Sequence, residues 1–380
     1  MKIISYGRQS ISQADIDEVV KVLESDYLTQ GPAVQEFEAI ICDYSRAKYC
    51  VAVSNGTAAL HLAVAALEIP RRAEGITTPN TFVASANCML YNQITPRFAD
   101  IDSRTYNIDP AQISATITKQ TKLLIPVHFA GQAVDMLSIN KIAEENDLYV
   151  IEDAAHAIGS QYADGSYVGN CKYSDLTTFS FHPVKTITTG EGGAITTNSK
   201  ELYERLLMLR SHGITKDENK LSMNPGPWYY EMQELGFNYR LTDMQAALGA
   251  SQMTRLNDFK ARRREIVSIY NSKFASSAWL TVPFESEGLS SCFHLYVLLI
   301  DFQGIGKSRA QVMTELLSRG VGTQVHYIPV TQLPYYAKTY SESLSNAESY
   351  YEHCLSIPLY PTMNDEDVNV VIEAVLGLVQ

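Results

Sequence analysis

The sequence predicts an α/β protein: a large domain over residues 1–250, built on a sheet covered by helices, and a smaller C-terminal α+β domain over residues 251–380. Three observations carry this. Through the first two thirds of the chain, short runs that are apolar throughout alternate with stretches of helical periodicity. That is the pattern of βαβ units whose strands are buried on both faces. After Asn198 the alternation stops. Finally, 380 residues are too many for one small domain and suit a large unit with a smaller one.

The elements follow in order. SQADIDEVVKVLES has apolar residues at helical spacing behind Ser12, with Asp15 three residues on as an acidic relative of the capping box. YCVAVS, Tyr49 to Ser54, reads as a strand that stops at Asn55-Gly56-Thr57, and a small-residue apolar helix follows from about Ala58 to Leu67. TFVASANCMLYN reads as a helix, TPRFADI and TKLLIPVHF as strands, SINKIAEEND as a helix and LYVIED as a strand. Leu176 to Phe181 and GGAITTN are two further strands, and KELYERLLMLRSHG is a helix ended by Gly213. The next 27 residues, Ile214 to Arg240, are polar and rich in Gly, Pro and Asn. A structureless loop of that length is unusual in a compact domain and is often functional. One long helix is expected from about Thr242 to Ser272. The smaller domain then offers the strand FHLYVLLID, the helix SRAQVMTELLSRG, the strand VGTQVHY and the helix DEDVNVVIEAVLGLV.

Composition narrows the function. Hydrophobic content of 46% and charged content of 19% are an ordinary globular mix. A net charge of −12 argues against nucleic acid as a partner, because a phosphate backbone calls for a basic face. The densest basic cluster, ARRRE from Ala261 to Glu265, lies in a helical pattern and reads as a solvated face. No stretch reaches the roughly 18 apolar residues of a membrane span, and MKIISYGRQS has no apolar core of a signal peptide. Cys42, Cys50, Cys88, Cys171, Cys292 and Cys354 are scattered without a C-x-x-C pair. A cytoplasmic protein with reduced thiols and no zinc is expected.

Ligands of open α/β sheets bind beyond the carboxyl ends of the strands, and the chemistry of this chain gathers there. Asn55-Gly56-Thr57-Ala58 sits at a helix N-terminus, where free amides and the helix dipole favour a phosphate, although the same residues also make a good cap. Asp153 follows LYVIE and suits either a cap or a cationic partner; His156 suits either the core or a ligand. Lys185 follows the strand at Leu176 to Phe181, with Ser180 five residues before it, and a Gly/Thr-rich turn comes next. By itself Lys185 reads as a hairpin lysine pointing into water. Together, a phosphate cradle, a carboxylate, a hydroxyl and a lysine are the set pyridoxal phosphate needs: the lysine condenses with the aldehyde, the carboxylate pairs with the ring nitrogen and the helix holds the phosphate. Phe82 is available to cover the ring. No G-x-x-x-x-G-K-[ST] and no G-x-G-x-x-G after a strand competes. An aldolase would leave the cradle and Asp153 without a purpose.

LTQGPAVQEFE, AVSNGTAALHLA, TTPNTFVASAN, FADID, IPVHFAGQ, VIEDAAHAIGS, FSFHPVKTITTGEGGAITTN, LRSHGI and GFNYRLTDMQAALG occur in that order over nearly the whole chain. In them the chain resembles the DegT/DnrJ/EryC1/StrS sugar aminotransferases. The resemblance implies the type I, aspartate-aminotransferase-like fold of pyridoxal phosphate (PLP) enzymes, with a large mixed-sheet domain. It implies Lys185 as the residue joined to the cofactor and the proton shuttle, and Asp153 at the pyridine nitrogen. It places His156 near the ring's 3-hydroxyl, Phe82 on the ring face, and Gly56, Thr57, Ala58 and Ser180 at the phosphate. Asn238 matches an Asn that reaches the phosphate of a neighbouring subunit, implying a homodimer with shared sites. Tyr6, Arg8, Thr29, His182, His326 and Tyr327 are implied as substrate contacts. A dehydratase offshoot carries His in place of the lysine; here Lys185 is retained. ISYGRQSI, SDYLTQGP and TFVASANC look most like the branch that aminates C4 of a 4-keto UDP-sugar for pseudaminic acid, with L-glutamate as donor and 2-oxoglutarate as by-product. Another keto nucleotide sugar is the alternative.

Overall fold

The computed structural model describes residues 2–379. Seven strands form the main sheet: β1 (Tyr49–Val53), β2 (Glu74–Thr77), β3 (Thr95–Phe98), β4 (Thr121–Ile125), β5 (Tyr149–Asp153), β6 (Leu176–Ser180) and β7 (Gly193–Thr197), in the order β1-β7-β6-β5-β4-β2-β3. β7 is antiparallel to both of its neighbours and every other pairing is parallel. Six strands therefore end at one edge, and β7 begins there.

Strand side chains alternate between two apolar layers, as the period of two requires. Cys50, Ala52, Leu124 and Val150 pack into a core with the helices α2 (Pro32–Ser45), α5 (Pro110–Thr116), α6 (Met136–Asn146) and α8 (Asp243–Met253). Val51, Val53, Leu123, Ile125 and Ile151 pack on the other face against α3 (Gly56–Ala66), α4 (Ala84–Tyr91) and α7 (Lys200–Arg210). α3 is buried on nearly every side, which explains why its sequence shows apolar content rather than amphipathic periodicity.

A third core lies towards the C-terminus. The antiparallel strands β10 (Leu280–Thr281), β11 (Tyr296–Ile300) and β12 (Cys354–Ile357) pack with α9 (Leu256–Phe274), α10 (Arg309–Ser318) and α12 (Asp365–Leu376). α11 (Ser345–His353) leads directly into β12. The arm before α1 (Gln13–Leu23) joins this part: Ile4 exchanges backbone hydrogen bonds with Gly320 and Gly322 on either side of Val321. Asp15, fully buried and locked in the expected capping box with Ser12, accepts from Ser251, Gln252 and Arg255.

Three expectations are corrected. The helix expected from Thr242 to Ser272 is two helices, α8 and α9. The break falls where the Thr254 hydroxyl bonds back to the Ser251 carbonyl and the amides of Thr254 and Arg255 reach back only three residues, a local competition with the helical ladder. The 27-residue loop contains a two-stranded hairpin, β8 (Ile214–Thr215) with β9 (Glu231–Met232). VGTQVHY is not a regular strand; it makes single bridges, Val321 to Ile4 and Gln324 to Ser356, between two different partners. No helix among the described residues is long and apolar enough to cross a membrane.

Candidate functional site

A cavity of about 730 Å³ opens at the edge where the parallel strands end. Its wall includes the start of α3, the ends of β5 and β6, the turn after β6 and the segment around His326.

The α3 N-terminus is built for close approach. Asn55 caps the helix by accepting from the Ala58 amide at 2.8 Å. The amides of Gly56 and Thr57, in the first turn, have no carbonyl to meet within the helix. A Cβ at Gly56 would lie 2.8 Å from Ser180 Cβ and 3.1 Å from its Oγ, so only glycine lets helix and strand end close into one concavity. Gly193 does the same from β7, where a Cβ would lie 2.5 Å from the Asn55 carbonyl oxygen. Ala58 lines the cavity, but its amide belongs to the cap.

Asp153 ends β5, nearly buried. Its Oδ2 accepts from Ser85 Oγ at 2.6 Å and its Oδ1 from the Ala155 amide at 3.1 Å. It therefore caps a turn rather than an α-helix, and it also lines the cavity. The adjacent Glu152 points to the opposite face, as the strand period demands, and is wholly buried. It accepts from His128 Nε2 at 2.8 Å, Ser174 Oγ at 2.5 Å, Thr177 Oγ1 at 3.1 Å and the Tyr162 hydroxyl. His128 Nδ1 accepts from the Val134 amide, which leaves the ring proton on Nε2 for Glu152. This network anchors the end of β5 from behind.

Lys185 is partly buried in the turn after β6, its amide bonded to the His182 carbonyl. Removal from water pulls its amine down to about 8, and the Asp153 charge pulls the other way. His156 Nδ1 accepts from the Ala130 amide at 3.3 Å and its Nε2 meets the Tyr327 hydroxyl at 3.1 Å. Burial, then the Lys185 charge, holds this ring well below its ordinary value, hence neutral. His326 is pushed down to about 3, chiefly by burial, and its Nδ1 meets Ser356 Oγ at 2.8 Å.

Of the residues the sequence singled out, the cavity gathers Tyr6, Gly56, Thr57, Ala58, Phe82, Asp153, His156, Ser180, His182, Lys185, His326 and Tyr327. Phe82 is exposed at its mouth, 6.5 Å from the Tyr327 ring. Arg8, Thr29 and Asn238 do not line it in their own chain. Arg8 is exposed on the arm, Thr29 is bridged to Thr242, and Asn238, exposed, is bridged to Ser211. His156 lines the cavity, its Nδ1 accepting from the Ala130 amide and its Nε2 next to the Tyr327 hydroxyl. Sequence reasoning missed Ser85, Tyr239 and His294. Ser85 stands 68 positions from Asp153, and no local pattern marks a contact of that kind.

The residues present fit pyridoxal phosphate. The close packing of Gly56 on Ser180 brings the first-turn amides of α3 and the Ser180 hydroxyl to one wall, which matches a phosphate; Asp153 matches a protonated ring nitrogen; and Lys185 is an amine with a lowered proton affinity in the same cavity.

The profile of the DegT/DnrJ/EryC1/StrS aminotransferase family matches residues 9–376. The spore coat polysaccharide biosynthesis protein SpsC of Bacillus subtilis is 42% identical over 382 aligned positions, covering 99% of this chain and 97% of that protein. The UDP-4-amino-4,6-dideoxy-N-acetyl-beta-L-altrosamine transaminase of Campylobacter jejuni is 37% identical, covering 100% and 98%. Among solved structures, Helicobacter pylori PseC, an aminotransferase of pseudaminic acid biosynthesis, superposes with a TM-score of 0.93 at 32% identity, covering 100% of this chain and 99% of that one. Streptococcus pneumoniae Spr1654 in its PLP-form superposes with a TM-score of 0.91 at 29% identity, covering 99% and 98%.

Proposed function

The chain belongs to the DegT/DnrJ/EryC1/StrS aminotransferase family, and we propose that it moves the amino group of L-glutamate to C4 of a UDP-linked 4-keto-6-deoxy-N-acetylhexosamine. The product would be UDP-4-amino-4,6-dideoxy-N-acetyl-beta-L-altrosamine, for pseudaminic acid biosynthesis. That it is a sugar aminotransferase using pyridoxal phosphate follows from the family. The observation that carries the site assignment is Lys185, its proton affinity lowered by burial, in one cavity with Asp153 and the Gly56–Ser180 concavity. The choice of sugar is supported by the Campylobacter relative and by the likeness to PseC. A different keto nucleotide sugar, aminated at C3 or C4, is the second reading, favoured by the higher identity to SpsC.

When bound, pyridoxal phosphate supplies an aldehyde that takes up and gives back an amino group, and a ring that draws electrons from the reacting carbon. The Gly56 and Thr57 amides and Ser180 Oγ hold its phosphate. Asp153, oriented by Ser85, holds a proton at the ring nitrogen. Lys185 Nζ takes the Cα proton of glutamate in the first half-reaction and delivers one to C4 of the sugar in the second. Asn238 completes the phosphate site of a second copy, in a homodimer. Support for such a partner comes from the hairpin arm, where Met223, Trp228 and Tyr230 are exposed together with Met232 of β9.

The test is incubation of the purified protein with L-glutamate and a panel of keto nucleotide sugars, with products separated and identified. Amination of the 4-keto UDP-sugar in preference to the others supports the proposal; preference for another sugar replaces it with the second reading.

A further inference from the structure

The ARRRE run reads in the sequence as a solvated face, yet its middle arginine, Arg263 of α9, is only 1% exposed. Burying a charge is costly unless its donors are met, and an apolar side chain of the same bulk would fill the space without that cost. The donors go to the main chain. Nη1 lies 3.3 Å from the Phe293 carbonyl oxygen, 3.2 Å from that of His294 and 2.8 Å from that of Leu359. Burial pulls the guanidinium down to about 10, so it keeps its charge at neutral pH, and charged donors make the stronger bonds.

The chain that Arg263 holds shapes the cavity. Phe293 takes φ of 46°, a left-handed conformation that a bulky residue rarely adopts and that persists only where the surroundings enforce it. His294 comes next and lines the cavity. The Phe293 amide donates to Ser291 Oγ at 3.0 Å and the Leu295 amide to the Ala130 carbonyl at 3.4 Å, so the strained turn is fastened on both sides of His294. At the other segment the Leu359 amide donates to the Tyr6 carbonyl at 3.1 Å. Tyr6 lines the cavity too, its ring 5.3 Å from that of His326. One guanidinium thus joins the chain that delivers His294 to the chain that seats Tyr6. Gly56, Asp153, Ser180 and Lys185 come instead from the edge of the main sheet.

We propose that Arg263 is a positioning residue: by holding Phe293, His294 and Leu359 together it fixes Tyr6 and His294 where substrate binds, while the phosphate and ring-nitrogen contacts of the cofactor stand without it. That a nucleotide sugar meets this part of the wall rests on the function proposed above.

Two measurements test this, the first of them free of any substrate. Arg263→Met fills the space but removes the donors. In hydrogen exchange of the full-length holoenzyme, this variant is expected to speed the amides of Phe293, Leu295 and Leu359 at least about tenfold, and those of Asp153 and Phe181 less than about twofold. Equal acceleration at both sets, or none at either, overturns the proposal. In the second, binding of UDP to the holoenzyme and of pyridoxal phosphate to the apoprotein are compared. The dissociation constant of UDP is expected to rise about tenfold and that of the cofactor less than about threefold. Arg263→Lys, which keeps a charge and its donors on a shorter stem, should lose less than Arg263→Met, and it carries both tests if Arg263→Met does not fold. Arg262→Met is the control on the same helix, where Arg262 bonds the Met363 carbonyl and Asp365; it should change neither constant. UDP and cofactor weakened alike, or Arg262→Met as damaging as Arg263→Met, would mean general loosening of α9 and overturn the positioning role. A parent that fails to bind UDP removes the nucleotide-sugar reading, and the exchange result then judges Arg263 by itself.

Discussion

Ser85 Oγ donates to Asp153 Oδ2 at 2.6 Å, while Thr81 Oγ1 lies 2.7 Å from the same Ser85 oxygen. The start of α4 is thus tied to the end of β5 through the carboxylate assigned to the ring nitrogen. Asp153→Asn is expected to bind cofactor yet lose more than tenfold in kcat, since an amide cannot keep that nitrogen protonated. Ser85→Ala should lose about tenfold, the scale of one hydrogen bond to a charge. Ser85→Thr, which keeps a hydroxyl, should lose less. If Ser85→Ala lowers only Tm and leaves kcat alone, its role is confined to packing.

Lys185 gives a pH dependence with a definite sign. Its amine titrates near 8 in the fold and at its ordinary 10.5 in the unfolded chain. Below pH 8 both states hold the proton and stability from this group is flat. Between about 8 and 10.5 only the unfolded chain binds it, so apoprotein stability rises across that window. Urea midpoints measured with and without Lys185→Ala should show the rise only in the parent. Uptake of pyridoxal phosphate by the apoprotein, followed by absorbance, should quicken up to about pH 8 and then level off. In Asp153→Asn that midpoint should move lower, because the charge that raises it is gone.

Gly56→Ala should weaken cofactor binding at least tenfold with the circular dichroism spectrum unchanged, since its methyl group would collide with Ser180 and push the start of α3 away from the end of β6. Equilibrium dialysis measures this. Thr57→Ala removes only a hydroxyl and should be milder; equal losses in the two variants would place the phosphate elsewhere.

The Glu152 cluster sets a stability expectation. Burial opposes its charge, but the bonds from His128, Ser174 and Tyr162 outweigh burial and keep the carboxyl below its ordinary 4.5. Its stabilisation is therefore present above pH 4.5 and fades as the pH falls below that value. Glu152→Ala strands the buried Nε2 proton of neutral His128 and should cost about 1–3 kcal/mol at neutral pH, read from denaturant midpoints.

Mixed dimers test the assignment of Asn238 to a partner's site. Lys185→Ala and Asn238→Asp should each be nearly inactive alone, the second because a carboxylate repels the phosphate. In a heterodimer one of the two sites receives an intact lysine and an intact asparagine. Activity above the sum of the parents is expected once tagged co-purification shows exchange; activity equal to that sum removes Asn238 from the partner's site.

The strand-end residues were legible because the sheet edge collects them by rule: Asp153 and Ser180 end β5 and β6, and Gly56 and Lys185 follow β1 and β6. What escaped was contact between distant segments. Ser85 reads locally as one small residue in a helix, and His294 as the start of a strand. VGTQVHY has β-type composition, yet its partners are single residues of the arm and of β12. The split between α8 and α9 turns on the Thr254 hydroxyl, in a pattern whose periodicity gave no break.

The arm and Asp15 have a consequence for synthesis of the chain on the ribosome. Asp15 waits for partners at positions 251, 252 and 255, and Ile4 for Gly320 and Gly322. At roughly 5–20 residues per second, Ile4 emerges on the order of 15–60 seconds before its pairing segment exists. This early-made stretch is thus among the last to be fastened, and in the interval its apolar residues are open to capture by chaperones.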